Sequence, residues 1–204
     1  GIVAAALAPG AGEVIGCDIT PEMLAKARSR AQAAGLTNVR FLPGLAEALP
    51  FANDSFDAVV SRSAVHHFPD PAVAFSEMAR VVRRGGRVIT VDVMAVESGD
   101  DAALHNALER LRDPSHVRML AKSELERALL QAGLKITGAV TWINQREFGE
   151  WMKIVNEPSR IEPLRSVMTA LARRGASAGI GLRLESGQLR FEHTAGLTVA
   201  AKRW

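Results

Sequence analysis

The sequence predicts a doubly wound α/β domain built on a parallel sheet, and three observations carry that expectation. Short β-branched runs alternate with helical stretches through residue 93. The strand runs are continuously apolar, as in strands covered on both faces. One run, "VIGCDITPEML" (Val14 to Leu24), ends on an acid just before a helix begins. That strand–turn–helix unit is where open α/β sheets bind ligands, and an acid there can accept from both hydroxyls of a ribose.

Each element follows in order. Residues 2–8 read as the tail of a helix and residues 13–18 as a strand closed by Asp18. Thr20 suits an N-cap and Pro21 the first helical position, where its missing N–H costs nothing. Met23, Leu24, Ala27, Ala31 and Ala34 then share one face of a helix over 21–34 that Gly35 ends. "NVRFLPG" (Asn38 to Gly44) is a second strand. "SFDAVVS" (Ser55 to Ser61) is a third, with Ala58, Val59 and Val60 expected to be buried. Asp70-Pro71 starts a helix that Gly85-Gly86 is expected to stop, and "GRVITVDV" (Gly86 to Val93) is a fourth strand. Beyond it, 100–112 reads as a helix with Leu104, Leu108 and Leu111 on one face. Ser123 and Glu126 have the spacing of a capping box for a helix over 123–132. Leu134 to Trp142 is a strand, and 146–155 and 159–174 are helices. "GLRLESGQLRFEH" is a hairpin around Ser186-Gly187, Gly196 to Arg203 is a last strand, and Ala176 to Gly181 is the expected flexible link.

Composition narrows the class. A chain of 204 residues, 48% hydrophobic, is the size of one domain with a full core. No apolar run reaches the ~18–20 residues of a membrane span. The net charge of +3 comes from 25 basic and 22 acidic residues that are spread rather than clustered, which disfavours a nucleic-acid partner. Most of the basic residues are arginine; GC-rich bacterial coding accounts for this more simply than an anionic substrate does. Cys17 is the only cysteine, so no internal disulfide forms and a cytoplasmic location fits.

The ordered series "GLAEALPFANDSFDAVVSRSAVHHFPDPAVAFSEMARVVRRGGRVITVDV" (Gly44 to Val93) closely resembles the class I methyltransferases that use S-adenosylmethionine. The likeness is strongest to the branch holding the ubiquinone- and menaquinone-biosynthesis C-methyltransferases. It covers residues 1 to about 93 well, and "RDPSHVR" (Arg112 to Arg118) recurs in one bacterial subgroup. The resemblance implies a Rossmann-like sheet in the order 3-2-1-4-5-7-6 with strand 7 antiparallel. This chain supplies strands 2 to 7 of that order. The family's first strand and its glycine-rich loop are expected upstream of "GIVAAALAPG", Gly1 being the last glycine of that loop. A native chain lacking the central strand would leave two hydrogen-bonding edges open. The layout reads as one methyltransferase domain over 1–204, with 94–121 and 143–195 as substrate-pocket or lid insertions.

Residue roles follow from the same likeness. Asp18 takes the place of the ribose-binding acid. Ile19 and Met23 pack against the adenine or, equally, in the core. Leu45 stands where most relatives carry an Asp that bonds the adenine amino group; the loss of that bond is worth about 0.5–1.5 kcal/mol. Ala46 still offers its backbone N–H, and Glu47 is either a cofactor neighbour or a surface residue. Ser61 and Arg62 follow the strand whose end holds the methionine half of the cofactor. His66 is the candidate general base for a hydroxyl acceptor, or it only shapes the pocket together with His67. Adjacent histidines rarely share one ion, and no metal site is expected from this pair. Arg118 and His116 are candidate substrate contacts; the alternative for Arg118 is a structural pair with Asp113 or Glu124. Trp142, Phe148, Trp151 and Met152 form either a buried helix face or a lid over an apolar substrate.

The expected function is transfer of a methyl group from S-adenosyl-L-methionine to carbon or oxygen of a small-molecule acceptor, releasing S-adenosyl-L-homocysteine. A homodimer is compatible with this reading. Two rivals stand beside it. One is a non-catalytic methyltransferase-like interaction module, suggested by Leu45 and by the glycine loop missing from the sequence. The other is a nicotinamide-dependent enzyme, for which Asp18 would also serve.

Overall fold

The computed structural model describes residues 1–155 and 157–203; Asn156, inside the 143–195 span, and Trp204 lie outside them. The elements are α1 (Ile2–Leu7), β1 (Val14–Asp18), α2 (Pro21–Ala33), β2 (Val39–Pro43), β3 (Phe56–Arg62), α3 (Pro71–Val81), β4 (Val82–Val93), α4 (Gly99–Arg112), α5 (Lys122–Gln131), β5 (Leu134–Glu147), α6 (Phe148–Lys153), α7 (Pro158–Arg173), β6 (Arg183–Glu185) and β7 (Gln188–Lys202). Single 3-10 turns occupy Ala8–Gly10 and Val65–His67.

The strands form two sheets. β1 and β2 pair in parallel, while β3, β4, β7 and β5 lie in that order, β6 pairing with β7. β3 runs parallel to β4, and β7 is antiparallel to both β4 and β5. This is the expected α/β order with a gap where the family's first strand would lie. Among the described residues β1 and β3 are not hydrogen-bonded to each other. Burial reflects the gap. Ala58, expected to be buried, is exposed, and Val59 and Val60 are only half-covered. The N-terminal unit has its own small core of Ala4, Leu24, Ala27, Ala31 and Phe41. It is tied to the rest partly through the loop after β2, where Glu77 accepts from the Leu49 N–H at 2.9 Å. Gly1 belongs to this unit: a Cβ there would meet the Ala27 Cα at 2.7 Å, so this glycine allows α1 to sit on α2.

The second sheet carries two cores. Phe75, Met78, Val82, Val88, Leu125, Leu129 and Leu134 fill the space between α3, α5 and the sheet. Leu108, Phe148, Trp151, Met152, Leu164, Met168 and Phe191 fill the space between α4, α6, α7 and β7. The apolar stretch 148–152 is therefore buried helix face; Trp142 stays exposed.

Several boundaries depart from expectation for identifiable reasons. α3 ends at Val81, not at Gly85-Gly86, because Val82 already turns extended. The glycines lie inside β4, where Gly85 has φ +74° and the pairing with β3 shifts register between Phe56 and Ala58. Only half of a capping box forms, two residues early, because Ala121 has no side-chain acceptor. Glu124 accepts the Ala121 N–H at 2.9 Å, whereas Ser123 bonds Glu97 instead. Leu111 is exposed, and the buried face of α4 is polar: His105, Asn106, Glu109 and Arg112 accompany Leu108. The two expected C-terminal strands are one, β7, after a turn in which Ser186 and Gly187 both have positive φ. Residues 176–181 are no loose link, since Ala178 and Ile180 are packed into the second core.

Gly86 approaches the β3 backbone closely; a Cβ would lie 2.7 Å from the Asp57 carbonyl oxygen and 2.8 Å from that of Arg83. Gly86→Ala is expected to destabilise the fold by about 1–3 kcal/mol, read as a lowered urea midpoint at unchanged slope.

Candidate active site

The polar groups converge at the carboxyl end of β4. Asp92 interrupts an apolar run, "ITVDV", one residue before the strand ends, and its side chain is buried. One carboxylate oxygen accepts the Ala64 and Val65 N–H groups at 3.0 and 2.8 Å. The other accepts the Val93 N–H at 2.7 Å and meets His66 Nδ1 at 2.5 Å. Ser63, in the left-handed region at φ +51°, turns the chain off β3 so that residues 64–67 reach this acid; its N–H donates to Val91 O at 2.8 Å. A carboxylate beside Nδ1 fixes that nitrogen as the proton-bearing one and leaves Nε2 as the acceptor. Asp92 was not singled out from sequence; an acid inside a strand that otherwise reads as fully apolar is the signal that finds it.

The histidines gather here. The His66 ring stacks on His116, with centroids 5.5 Å apart, and lies tilted against His67 at 4.1 Å. His67 Nδ1 lies 2.9 Å from the Ser115 carbonyl, and the His66 carbonyl accepts the Val117 and Arg118 N–H groups. His116 is buried and donates from Nε2 to Asn106 Oδ1 at 2.9 Å. Burial, with the charges of His66 and His67 in support, lowers its pKa to about 3. His116 is thus held neutral inside the fold. On the same buried face of α4, His105 and His193 face Glu109, the two rings 5.2 Å apart. Burial lowers the pKa of His105 to about 4 and that of His193 to about 2, and it raises that of Glu109.

The expected cofactor residues line the ends of β1, β2 and β3. Asp18 Oδ1 accepts the Thr20 N–H at 2.9 Å, and no hydrogen bond reaches its Oδ2 among the described residues. Thr20 is the N-cap residue of α2, but its side chain makes no capping bond; the bond from Asp18 is to the N–H of Thr20 itself. Ile19, Met23 and Leu45 are 64%, 46% and 51% exposed, which rules out core packing for the first two. Glu47 Oε1 accepts the Asp70 N–H at 3.3 Å, linking the loop after β2 to the start of α3, and Ala46 beside it is half-buried. Ser61 and Arg62 are the last residues of β3 rather than lying beyond it. Ser61 Oγ is buried without a hydrogen-bond partner among the described residues, while Arg62 is exposed. A free carboxylate oxygen, an orphaned hydroxyl and three solvent-facing apolar side chains fit a nucleoside with an apolar base and a polar tail.

Arg118, like His116, is engaged within the fold. Its Nη1 donates to both oxygens of Glu124, at 2.7 and 3.0 Å, so the structural pair forms. A groove of about 450 Å³ lined by Arg87, Lys135 and Lys202 lies at the opposite end of β4 and is unconnected with this chemistry.

Residues 1–90 match the family described as "Methyltransferase domain". The chain is 41% identical to the uncharacterized methyltransferase YcgJ of Bacillus subtilis over 159 residues, 78% of this chain and 63% of YcgJ. It is 34% identical to the uncharacterized protein YafE of Escherichia coli over 148 residues, 72% of each chain. The crystal structure of YcgJ superposes on all of this chain and 88% of that one, with a TM-score of 0.91 and 36% identity. The chain belongs to the class I S-adenosylmethionine-dependent methyltransferases. Its matched stretch spans less than two thirds of the length of YcgJ. Demethylmenaquinone methyltransferase of Thermus thermophilus is 47% identical over 85 residues, 42% of this chain and 38% of that protein.

Asp92 joins the end of β4 to the connection after β3. Asp92→Asn places an N–H₂ group against donors and is expected to cost about 2–3 kcal/mol, read by urea unfolding, with loss of the downfield Nδ1 proton of His66 in NMR spectra.

Proposed function

We propose that this methyltransferase-family chain moves a methyl group from S-adenosylmethionine to a small acceptor through a carbon or oxygen atom. The observation that carries the reading is the His66–Asp92 pair at 2.5 Å, held at the carboxyl end of β4 by three backbone N–H groups. Asp18 would hold the ribose, Ile19, Met23 and Leu45 would flank the adenine, and Ser61 would face the polar tail. When bound, the cofactor supplies an electrophilic methyl on a sulfonium that is already a good leaving group. The protein's own part is positioning, exclusion of water and, for a hydroxyl acceptor, removal of one proton. His66 Nε2 takes that proton while Asp92, still ionised, steadies the resulting imidazolium. His116 stacks on His66 as a neutral ring and would form a wall of the acceptor pocket. The menaquinone-type relative makes an apolar ring with an ionisable hydroxyl a sensible first acceptor class to try.

Titration calorimetry with S-adenosylmethionine tests the cofactor half. Asp18→Ala is expected to weaken binding roughly 10- to 100-fold, the worth of charge-assisted hydrogen bonds. Leu45→Asp is expected to tighten it roughly 2- to 10-fold by restoring one acceptor. A folded chain that shows no binding, with or without the Leu45 change, would move the interaction-module reading ahead.

In a screen of phenolic and enolic acceptors, His66→Gln is expected to lower kcat by roughly 100-fold or more with little change in KM. A variant that retains kcat would remove His66 from the chemistry.

A further inference from the structure

The second core contains a cluster that methyl transfer leaves unused. His105 and Glu109 lie one turn apart on α4, and His193 projects from β7. Their exposures are 2%, 2% and 3%. His193 Nε2 lies 3.2 Å from Glu109 Oε1, and His105 Nε2 lies 3.8 Å from the same oxygen. One ligand atom from each residue falls within 4.8 Å of the other two. Neither contact has hydrogen-bond geometry. Both ring nitrogens of His105 and Nε2 of His193 are buried with no partner among the described residues. The indole N–H of Trp151 is unpartnered as well, its ring 5.9 Å from that of His193.

Buried polar atoms left unpaired are costly, so several in one place call for an occupant. The geometry points to a buried divalent transition-metal site, of the zinc type, with His105, Glu109 and His193 as its protein ligands. Donors at ~2.0–2.1 Å from a tetrahedral zinc sit roughly 3.3 Å apart; the His193–Glu109 pair is already at 3.2 Å, and His105 would close in from 3.8 Å. The residue set suits that ion: two imidazoles and a carboxylate, two of them from a helix at i and i+4. Glu109 is also oriented from behind. Arg112 holds its other oxygen, Oε2, with Nη2 at 2.8 Å and Nε at 3.0 Å, and the guanidinium is itself fixed over the Trp151 ring at 4.7 Å. This leaves Oε1 for the ion and gives it an outer-shell partner. The Arg112 charge disfavours a second uncompensated cation, so the fourth position suits a hydroxide or another anionic oxygen. The ion would clamp α4 to β7 beneath the His66–His116 stack.

The site is independent of the cofactor reading, and its test needs no activity. The chain is stripped with a chelator and titrated with Zn²⁺ by calorimetry and with Co²⁺ by visible absorption. One equivalent is expected, with the intense bands of tetrahedral Co²⁺ and a raised Tm. His193→Gln and Glu109→Gln should each weaken Zn²⁺ binding at least 100-fold, while His67→Gln should leave it within threefold. Zinc-edge X-ray absorption on the unsubstituted protein should count two imidazole ligands, which decides the matter even where a variant fails to fold. No metal uptake by the folded chain, fewer than two imidazoles, or a loss that follows His67 rather than His193 would overturn the site.

Discussion

A single buried carboxylate organises the carboxyl end of β4 and the segments that meet there. Asp92 accepts from three backbone N–H groups and from His66, on two oxygens that are nearly sealed from solvent. A charge so placed is tolerable only when its hydrogen-bonding capacity is filled. The constraint acts in both directions. The chain after β3 must turn sharply through Ser63 to deliver its N–H groups, and once it has done so the His66 ring has little freedom left. The His66 carbonyl in turn takes the Val117 and Arg118 N–H groups, so the segment after α4 is registered against the same turn.

From that anchor the polar interior spreads through α4. A helix that buries His105, Asn106, Glu109 and Arg112 would be unstable on a generic surface. Here Asn106 serves His116 and the Met119 N–H, and Arg112 serves Glu109 and the Trp151 carbonyl. The interior is thus divided between a dry core under α3 and α5 and a mixed core under α4, α6 and α7. All of the histidines in the chain belong to this connected polar region. That concentration makes the region chemically richer than β1 and β2.

The N-terminal unit stands on a different footing. β1 and β2 pair with each other and pack on α2, but no hydrogen-bonded ladder joins β1 to β3 among the described residues. Strands meant for the middle of a sheet keep their apolar sequence even where a neighbour does not cover them, which is why Ala58 reads as core and is found exposed. The links across this gap include the Glu47–Asp70 and Glu77–Leu49 hydrogen bonds of the loop after β2. That loop carries Leu45, so the groups expected to read the adenine depend on the least supported part of the sheet.

The sequence by itself determined the strand–helix alternation, the parallel first half, the hairpin at Ser186-Gly187 and the places of Asp18 and His66. These are local properties, written in periodicity, turn chemistry and the ordered motifs of one family. It misplaced the end of α3 and the capping box by a few residues, because glycine and serine signals compete over short distances and packing chooses among them. Only the tertiary structure decided that Arg118 pairs with Glu124, that 176–181 is packed, and that Asp92 meets His66. The same holds for His105, Glu109 and His193, the last of which lies more than 80 residues from its partners along the chain. Such contacts join residues whose sequence neighbourhoods do not refer to one another. A polar side chain on an apolar face gives no hint of its partner until the helix and the strand that carry the two are folded together.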